Sequence, residues 1–229
     1  MRLDSYLVEN RSFSSRGRAK RAITQGYVRV NEIVVTKPSF DVAYSDKIKV
    51  VDDMDKPAGY WKLKEIQERS NIIKQGDRVL DIGCSAGGFL MFASEIAYHV
   101  HGIEFSKEFA SELERIVKQR SNVTIQYGDV FSITLEKERF DVLLFDITTT
   151  PSSSIKALEN VLPALKKEGR ALLVFKTSKE GDIKALLKKL CSLSLEITEI
   201  IKPEKQEIYV IAKRCDGDRY RADHQNYKK

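Results

Sequence analysis

Asp81-Ile82-Gly83-Cys84-Ser85-Ala86-Gly87-Gly88-Phe89 ends an apolar run in a glycine-rich turn and leads straight into a helical pattern. Glycines at such a strand-to-helix turn let the backbone approach a ligand with no Cβ in the way. The spacing is G-x-S-x-G-G and not G-x-G-x-x-G, so the tight turn that seats a dinucleotide pyrophosphate is absent and a nicotinamide cofactor is disfavoured. No Gly-Lys-Ser/Thr follows, which removes a phosphate-binding loop as well.

Outward from this turn, strand-like apolar runs alternate with amphipathic stretches. The predicted strands cover residues 79–82, 100–104, 123–127, 140–146, 171–175, 196–201 and 208–213. Helical stripes fall at Phe109, Leu113, Ile116 and Val117, at Ile155, Leu158, Leu162 and Leu165, and at Ile183, Leu186, Leu187 and Leu190. This alternation calls for right-handed crossovers: an α/β fold with a doubly wound, mostly parallel seven-stranded sheet. Only a short segment around Pro203 joins the last two strands, so an antiparallel pair is expected at one edge.

Two further acids complete a pattern. Glu104 ends the second predicted strand, and Asp129 follows the third in Tyr127-Gly128-Asp129-Val130. The order resembles the S-adenosylmethionine site of class I methyltransferases, a Rossmann-like fold. The resemblance implies that Asp81 and Gly83 lie at the methionine end, with Ser85, Gly87, Gly88 and Phe89 in the same loop. It also implies that Glu104 holds the ribose, Asp129 meets the adenine amine and Asp146 lies beside the sulfonium. The plain alternative is an α/β turn whose acids cap helices.

Four charged residues stand at or near the ends of apolar runs. Lys62 lies in Tyr60-Trp61-Lys62-Leu63-Lys64-Glu65-Ile66, Asp146 follows Val142-Leu143-Leu144-Phe145, Lys176 follows Leu172-Leu173-Val174-Phe175, and Glu207 precedes Ile208-Tyr209-Val210-Ile211. Side chains at the carboxyl ends of parallel strands converge on one rim. This Lys-Asp-Lys-Glu order resembles the FtsJ (RrmJ-like) ribose 2'-O-methyltransferases over about residues 57–213, which implies a catalytic tetrad. A ribose hydroxyl is a poor nucleophile, so an enzyme must orient it and remove its proton as the C–O bond forms. Lys176 is the candidate base. A lysine of ordinary pKa, about 10.4, serves as a base only when burial or a second cation lowers that value; otherwise Lys176 stays protonated and steers the hydroxyl. The bland alternative is two surface ion pairs. After Asp146 comes Ile147-Thr148-Thr149-Thr150-Pro151, where FtsJ-like enzymes usually carry Met-Ala-Pro-Asn, so contacts to the target nucleotide are expected to differ.

The N-terminal stretch has a different character. The chain has a net charge of +6, and residues 1–50 hold ten Lys and Arg against five Asp and Glu. Such asymmetry suits a polyanionic partner, because each cation near a phosphate releases a condensed counterion. Two short helices are predicted over residues 3–8 and 15–25, with Ser14 or Ser15 as N-cap and Gly26 as stop. A hairpin turning at Asn31-Glu32 and a strand over 46–50 follow. The pattern Arg2-Leu3-Asp4, Leu7, Ser15-Arg16, Ala19, Ile23, Gly26, Val28, Val30-Asn31 resembles the small α+β RNA-binding domain first known from ribosomal small-subunit protein four. It implies RNA binding through Arg2, Arg16, Arg18, Lys20 and Arg21; otherwise these are solvated cations on a helical cap. Residues 51–59 read as a linker, 60–213 as the methyltransferase domain and 214–229 as a mobile basic tail. The two domains together resemble the hemolysin A (TlyA-type) ribosomal RNA 2'-O-methyltransferases, which implies ribosomal RNA as partner.

Several classes fall away. Cys84, Cys191 and Cys215 are scattered, without a C-x-x-C pair, so neither a disulfide framework nor a zinc site is expected. His99, His101 and His224 lack metal-binding spacing, and no metal is expected. With no apolar leader after Met1 and no bilayer-length apolar run, the expectation is a cytoplasmic protein that does not enter a membrane. Two other functions compete: a non-catalytic RNA-binding or ribosome-assembly factor on a methyltransferase fold, and a pore-forming hemolysin, which only the family name raises. Tyr60 and Trp61 suit either stacking on a base or packing beside Lys62.

Overall fold

A computed structural model describes residues 1–51, 54–177, 180–202 and 207–215. The chain divides into two compact units, Met1–Trp61 and Lys62 onward.

In the first unit α1 (Leu3–Glu9) and α2 (Arg16–Thr24) share a core with three antiparallel strands, β1 (Val28–Val30), β2 (Ile33–Val34) and β3 (Ile48–Val50), in the order β2-β1-β3. The Ser15 hydroxyl caps α2 by accepting from the Arg18 N–H. Gly26, at a φ of +79°, takes the chain out of the helix into β1, a conformation that costs glycine little. Asn31 and Glu32 both have positive φ, as a two-residue turn of matching twist requires between β1 and β2. The Asn31 amide fixes that turn: it donates to Asp46 and accepts from the Lys47 N–H. Leu3, Leu7, Ala19, Ile23, Val28 and Val30 fill the interior.

The second unit is built on a seven-stranded sheet. Its strands are β4 (Arg78–Ile82), β5 (His99–Glu104), β6 (Val123–Tyr127), β7 (Phe140–Phe145), β8 (Leu165–Phe175), β9 (Leu195–Ile201) and β10 (Ile208–Arg214), in the order β6-β5-β4-β7-β8-β10-β9. All pairings are parallel except those of β10, which runs antiparallel to both β8 and β9. The helices are α3 (Ala58–Ser70), which crosses the division between the units, α4 (Gly88–Ala93), α5 (Ala110–Gln119), α6 (Pro151–Val161) and α7 (Glu180–Ser192). Central β7 has Val142, Leu143, Leu144 and Phe145 wholly buried, as a strand covered on both faces must. At the edges, β6 and β9 begin by alternating buried or half-buried residues with exposed ones.

The chain runs β4, β5, β6 to one edge and then returns to lay β7 on the other side of β4. That reversal leaves a crevice at the carboxyl ends of β4 and β7, where open α/β sheets take their ligands. Because β10 is antiparallel, its start, Ile208, pairs with the end of β8, Phe175. Residues just before β10 therefore reach the same rim as those just after β7 and β8.

Three expectations need correction. Leu162 and Leu165 are not on the helix: Leu162 opens a 3-10 turn (Leu162–Ala164) and Leu165 starts β8. Pro163 is the cause, since it has no N–H to donate and its ring clashes with the preceding turn. β8 consequently begins at Leu165 and not at residue 171, continuing past Glu168 at a φ of +62°. Ala58 and Gly59, read as linker, already belong to α3. The tail beyond Cys215 and the segment around Pro203 lie outside the described residues.

Candidate active site

The glycine turn after β4 is forced by its surroundings. Gly83 sits at a φ of +86°, and a Cβ there would lie 2.6 Å from the Asp146 carbonyl oxygen. Gly87 has a φ of +76°, and a Cβ on it would meet the Ile116 side chain. The turn thus lies flat against the end of β7 and against α5.

Beside it opens a cavity of about 510 Å³, lined by Gly83, Ser85, Glu104, Asp129, Asp146 and Thr148 among others. One Glu104 carboxylate oxygen accepts from the Ser85 N–H and the other from the Ser106 N–H, each at 2.8 Å. These bonds fix the carboxylate and leave lone pairs on both oxygens. Asp129 is held by the Phe131 N–H at 2.9 Å. Phe105 and Phe131 line the cavity with rings that are 76% and 49% exposed, flat apolar surfaces at its mouth.

Asp81 is 1% exposed, and among the described residues neither carboxylate oxygen has a hydrogen-bond partner. Burial pushes its pKa well above the carboxylate range, and the nearby Asp146 and Glu104 charges push it further. A buried carboxyl without partners is costly. It is chemistry that a cationic ligand group relieves, which fits a ligand bearing an ammonium or sulfonium centre.

Along the rim, Lys62 from α3 donates to Asp146 Oδ2 at 3.0 Å and lies 3.5 Å from Glu207 Oε2. All three side chains are less than a quarter exposed. The Tyr209 hydroxyl donates to the other Glu207 oxygen at 2.6 Å, and the Tyr209 ring lies 5.3 Å from Lys62 Nζ. Burial, then the Glu207 carboxylate, drives the Tyr209 phenol far above its ordinary pKa, so it remains a donor. Lys176 is exposed just past β8, and its Nζ donates to Thr148 Oγ1 at 2.9 Å.

Residues 58–215 match the FtsJ-like methyltransferase family. The chain belongs to that family. Ahead of the FtsJ-like part, residues 1–48 match the S4 domain. The ribosomal RNA large subunit methyltransferase E of Syntrophobacter fumaroxidans is 30% identical over 177 residues, covering 67% of this chain and 86% of that protein. Its counterpart from Methanocaldococcus jannaschii is 29% identical over 70% of this chain and 74% of that one. Among solved structures, a hemolysin-like protein from Streptococcus thermophilus shares the fold of the whole chain, with a TM-score of 0.55 at 15% identity over 100% of this chain and 97% of that chain.

Within the FtsJ-like domain, the residues singled out from sequence separate into groups. Gly83, Ser85, Glu104, Asp129 and Asp146 line the cavity. Asp81, Gly87, Gly88 and Phe89 do not; Gly88 and Phe89 are buried in the first turn of α4. Lys62, Asp146 and Glu207 come together, whereas Lys176 bonds to Thr148 and to neither carboxylate. Sequence reasoning gave no role to Tyr209, Phe105 and Phe131, and took Thr148 only as part of the stretch after Asp146 that departs from the family pattern. Phe105 directly follows Glu104 and Tyr209 follows Glu207 by two, so adjacency to a recognised acid was the available signal.

Four of the five cations named for RNA are arranged around two acids of the first unit. Arg2 and Arg16 donate to Asp4 at 3.0 to 3.1 Å, and Lys20 Nζ lies 4.0 Å away. The Asp4 side chain is fully buried, and hydrogen bonding from Arg2, helped by Arg16, lowers its pKa to about 2 against the cost of burial. Arg18 pairs with Asp55 at 3.3 Å and is 13% exposed, facing inward more than outward. Arg21 is half-buried; burial, then the Arg18 charge, lowers its pKa.

Among the described residues no cluster of His, Cys, Asp or Glu suits a metal ion, and no helix is long and apolar enough to cross a membrane. His99 and His101 lie in β5 and share the Thr124 hydroxyl across the strand pair.

Proposed function

We propose that this FtsJ-like protein is an S-adenosylmethionine-dependent ribosomal RNA methyltransferase that methylates the ribose 2'-hydroxyl through Lys62, Asp146, Lys176 and Glu207. Residues 60–213 are the catalytic domain and residues 1–50 the RNA-binding domain, in this reading. The observation that carries it is Lys62 held between Asp146 and Glu207 at the rim of the cavity. The names of the ribosomal RNA methyltransferases to which the chain is similar support the substrate class.

The residues present fit the cofactor. Glu104 and Asp129, which line the cavity, would hold the ribose hydroxyls and the adenine amine, and Asp81, which precedes the lining residues Ile82 and Gly83 in the chain, would favour the ammonium-bearing methionine end by its charge. Bound there, S-adenosylmethionine supplies an electrophilic methyl on a sulfonium. Lys62 offsets part of the charge of Asp146 and Glu207, so the rim repels an incoming phosphodiester less strongly than bare acids would. Tyr209 holds Glu207 in place. Lys176, which forms no ion pair with a carboxylate among the described residues, is the group exposed to receive or steer the ribose hydroxyl.

Tritiated methyl transfer to ribosomal RNA, followed by alkaline hydrolysis, tests the reading. Label is expected in alkali-resistant dinucleotides, because a 2'-O-methyl blocks cleavage of the neighbouring phosphodiester. Label in mononucleotides refutes ribose methylation. Lys176→Ala is expected to lower the rate by about a hundredfold or more, the usual scale for a lost acid–base group.

A further inference from the structure

We propose that Thr148 is a positioning residue for Lys176, holding the lysine amine in one place through both of its protonation states. The inference rests on the ribose-methylation reading and adds the group that orients its candidate base.

Lys176 stands just beyond the end of β8, exposed, and its only hydrogen bond among the described residues is the one it gives to Thr148 Oγ1 at 2.9 Å. Thr148 belongs to the stretch after Asp146 that also lines the cavity, so it lies between the cavity and the lysine. Meanwhile Lys62 takes an oxygen from each rim carboxylate, Asp146 and Glu207, and Tyr209 takes the second oxygen of Glu207. Lys176 is left with a neutral partner.

The chemical identity of that partner matters. A carboxylate only accepts, so it holds an ammonium and opposes loss of its proton. A hydroxyl oxygen carries no charge and accepts an N–H from the ammonium and from the neutral amine alike, so the same contact survives when the proton moves and the amine lone pair stays free for the ribose hydroxyl. With Lys176 neutral, its lone pair takes the proton of the ribose 2'-hydroxyl as the C–O bond forms and the C–S bond to the methyl breaks. The resulting ammonium still donates to Thr148 and later gives the proton to water. The amine need not find a new orientation between turnovers.

Three substitutions test this, read as single-turnover methyl transfer across pH alongside calorimetric affinity for S-adenosylmethionine. Thr148→Val keeps the branched shape and loses the hydroxyl; a rate about tenfold lower with cofactor affinity within about twofold is expected. Thr148→Ser is expected to recover most of the rate. Thr148→Asp supplies a charge that favours the ammonium and is expected to move the pH–rate profile to the alkaline side by about one unit. The proposal is overturned if Thr148→Val keeps the native rate and profile, or if Thr148→Ser is as slow as Thr148→Val. It also falls if Thr148→Val loses cofactor affinity in step with rate, since the residue would then serve the cavity and not the lysine. Lys176→Ala separates this from the broader reading: if that variant methylates at the native rate, the tetrad itself is wrong, whereas a slow Lys176→Ala beside a fast Thr148→Val removes only Thr148.

Discussion

Asp81 shows how one residue can be expensive to the fold and useful to the site. Its carboxyl lies near the end of β4 with both oxygens buried and, among the described residues, without hydrogen-bond partners. The sign of its titration follows from that setting. Burial and the Asp146 and Glu104 charges raise the folded pKa, so Asp81 stays protonated to higher pH than an ordinary aspartate. A cation arriving beside it favours the carboxylate, and binding therefore releases a proton. Calorimetry of S-adenosylmethionine binding in two buffers of different ionisation enthalpy is expected to show that release, growing as pH falls. Asp81→Asn, which has the same volume and cannot titrate, should abolish the buffer dependence and weaken binding by about tenfold or more. Identical buffer dependence in the variant would assign the proton to another group.

At the scale of elements, α6 shows what local chemistry holds the cavity loop. Thr150 is its N-cap, accepting from the Ser153 N–H at 3.3 Å, and Pro151 follows in the first turn, where a missing N–H costs nothing. Thr150→Ala is expected to cost about 1 kcal/mol, a fall of roughly 2–4 °C in the melting temperature of a domain this size. Methyl transfer should be nearly unchanged; a large loss of activity with no loss of stability would mean that Thr150 serves the target nucleotide. The capping pattern was legible in the sequence, but the stretch was read there as a departure at the target site. The sheet was legible for a stronger reason: a strand covered on both faces needs a continuous apolar run, as β7 has over residues 142–145, and few other structures demand that. The helical stripe that ran on to Leu165 failed because period alone does not register what Pro163 does to a helix. The charged rim was foreseen only as a set of four. Which carboxylate meets which lysine depends on side-chain direction and on the reversed course of β10, neither of which a linear pattern contains, so Lys176 pairing with Thr148 could not be read in advance.

Along the whole molecule the charge is unevenly spread, and that has a measurable consequence for RNA. Residues 1–50 carry twice as many cations as acids, while residues 51–212 hold 23 Lys and Arg against 25 Asp and Glu. On the proposed function, the basic residues 1–50 supply affinity for a polyanion, and joining them to the methyltransferase domain by one continuous chain raises the local concentration of substrate. The cations are not equally available, however. Asp4 is held ionised with a pKa of about 2, and it engages Arg2 and Arg16 by direct hydrogen bonds. Lys20, at 4.0 Å from the same carboxylate and half exposed, is the member of the cluster with most freedom to meet a phosphate. Removing it leaves Asp4 with both arginines, so the fold should survive. Lys20→Ala is expected to weaken binding about equally for RNAs of different sequence and to lower the slope of log affinity against log salt by about 0.7–0.9, the value of one released counterion. The maximal rate at saturating RNA should stay native while the RNA concentration for half-maximal rate rises. An unchanged slope would mean that the arginines alone face the phosphates, and a lowered maximal rate would mean that Lys20 acts on the reacting nucleotide and not on the capture of RNA.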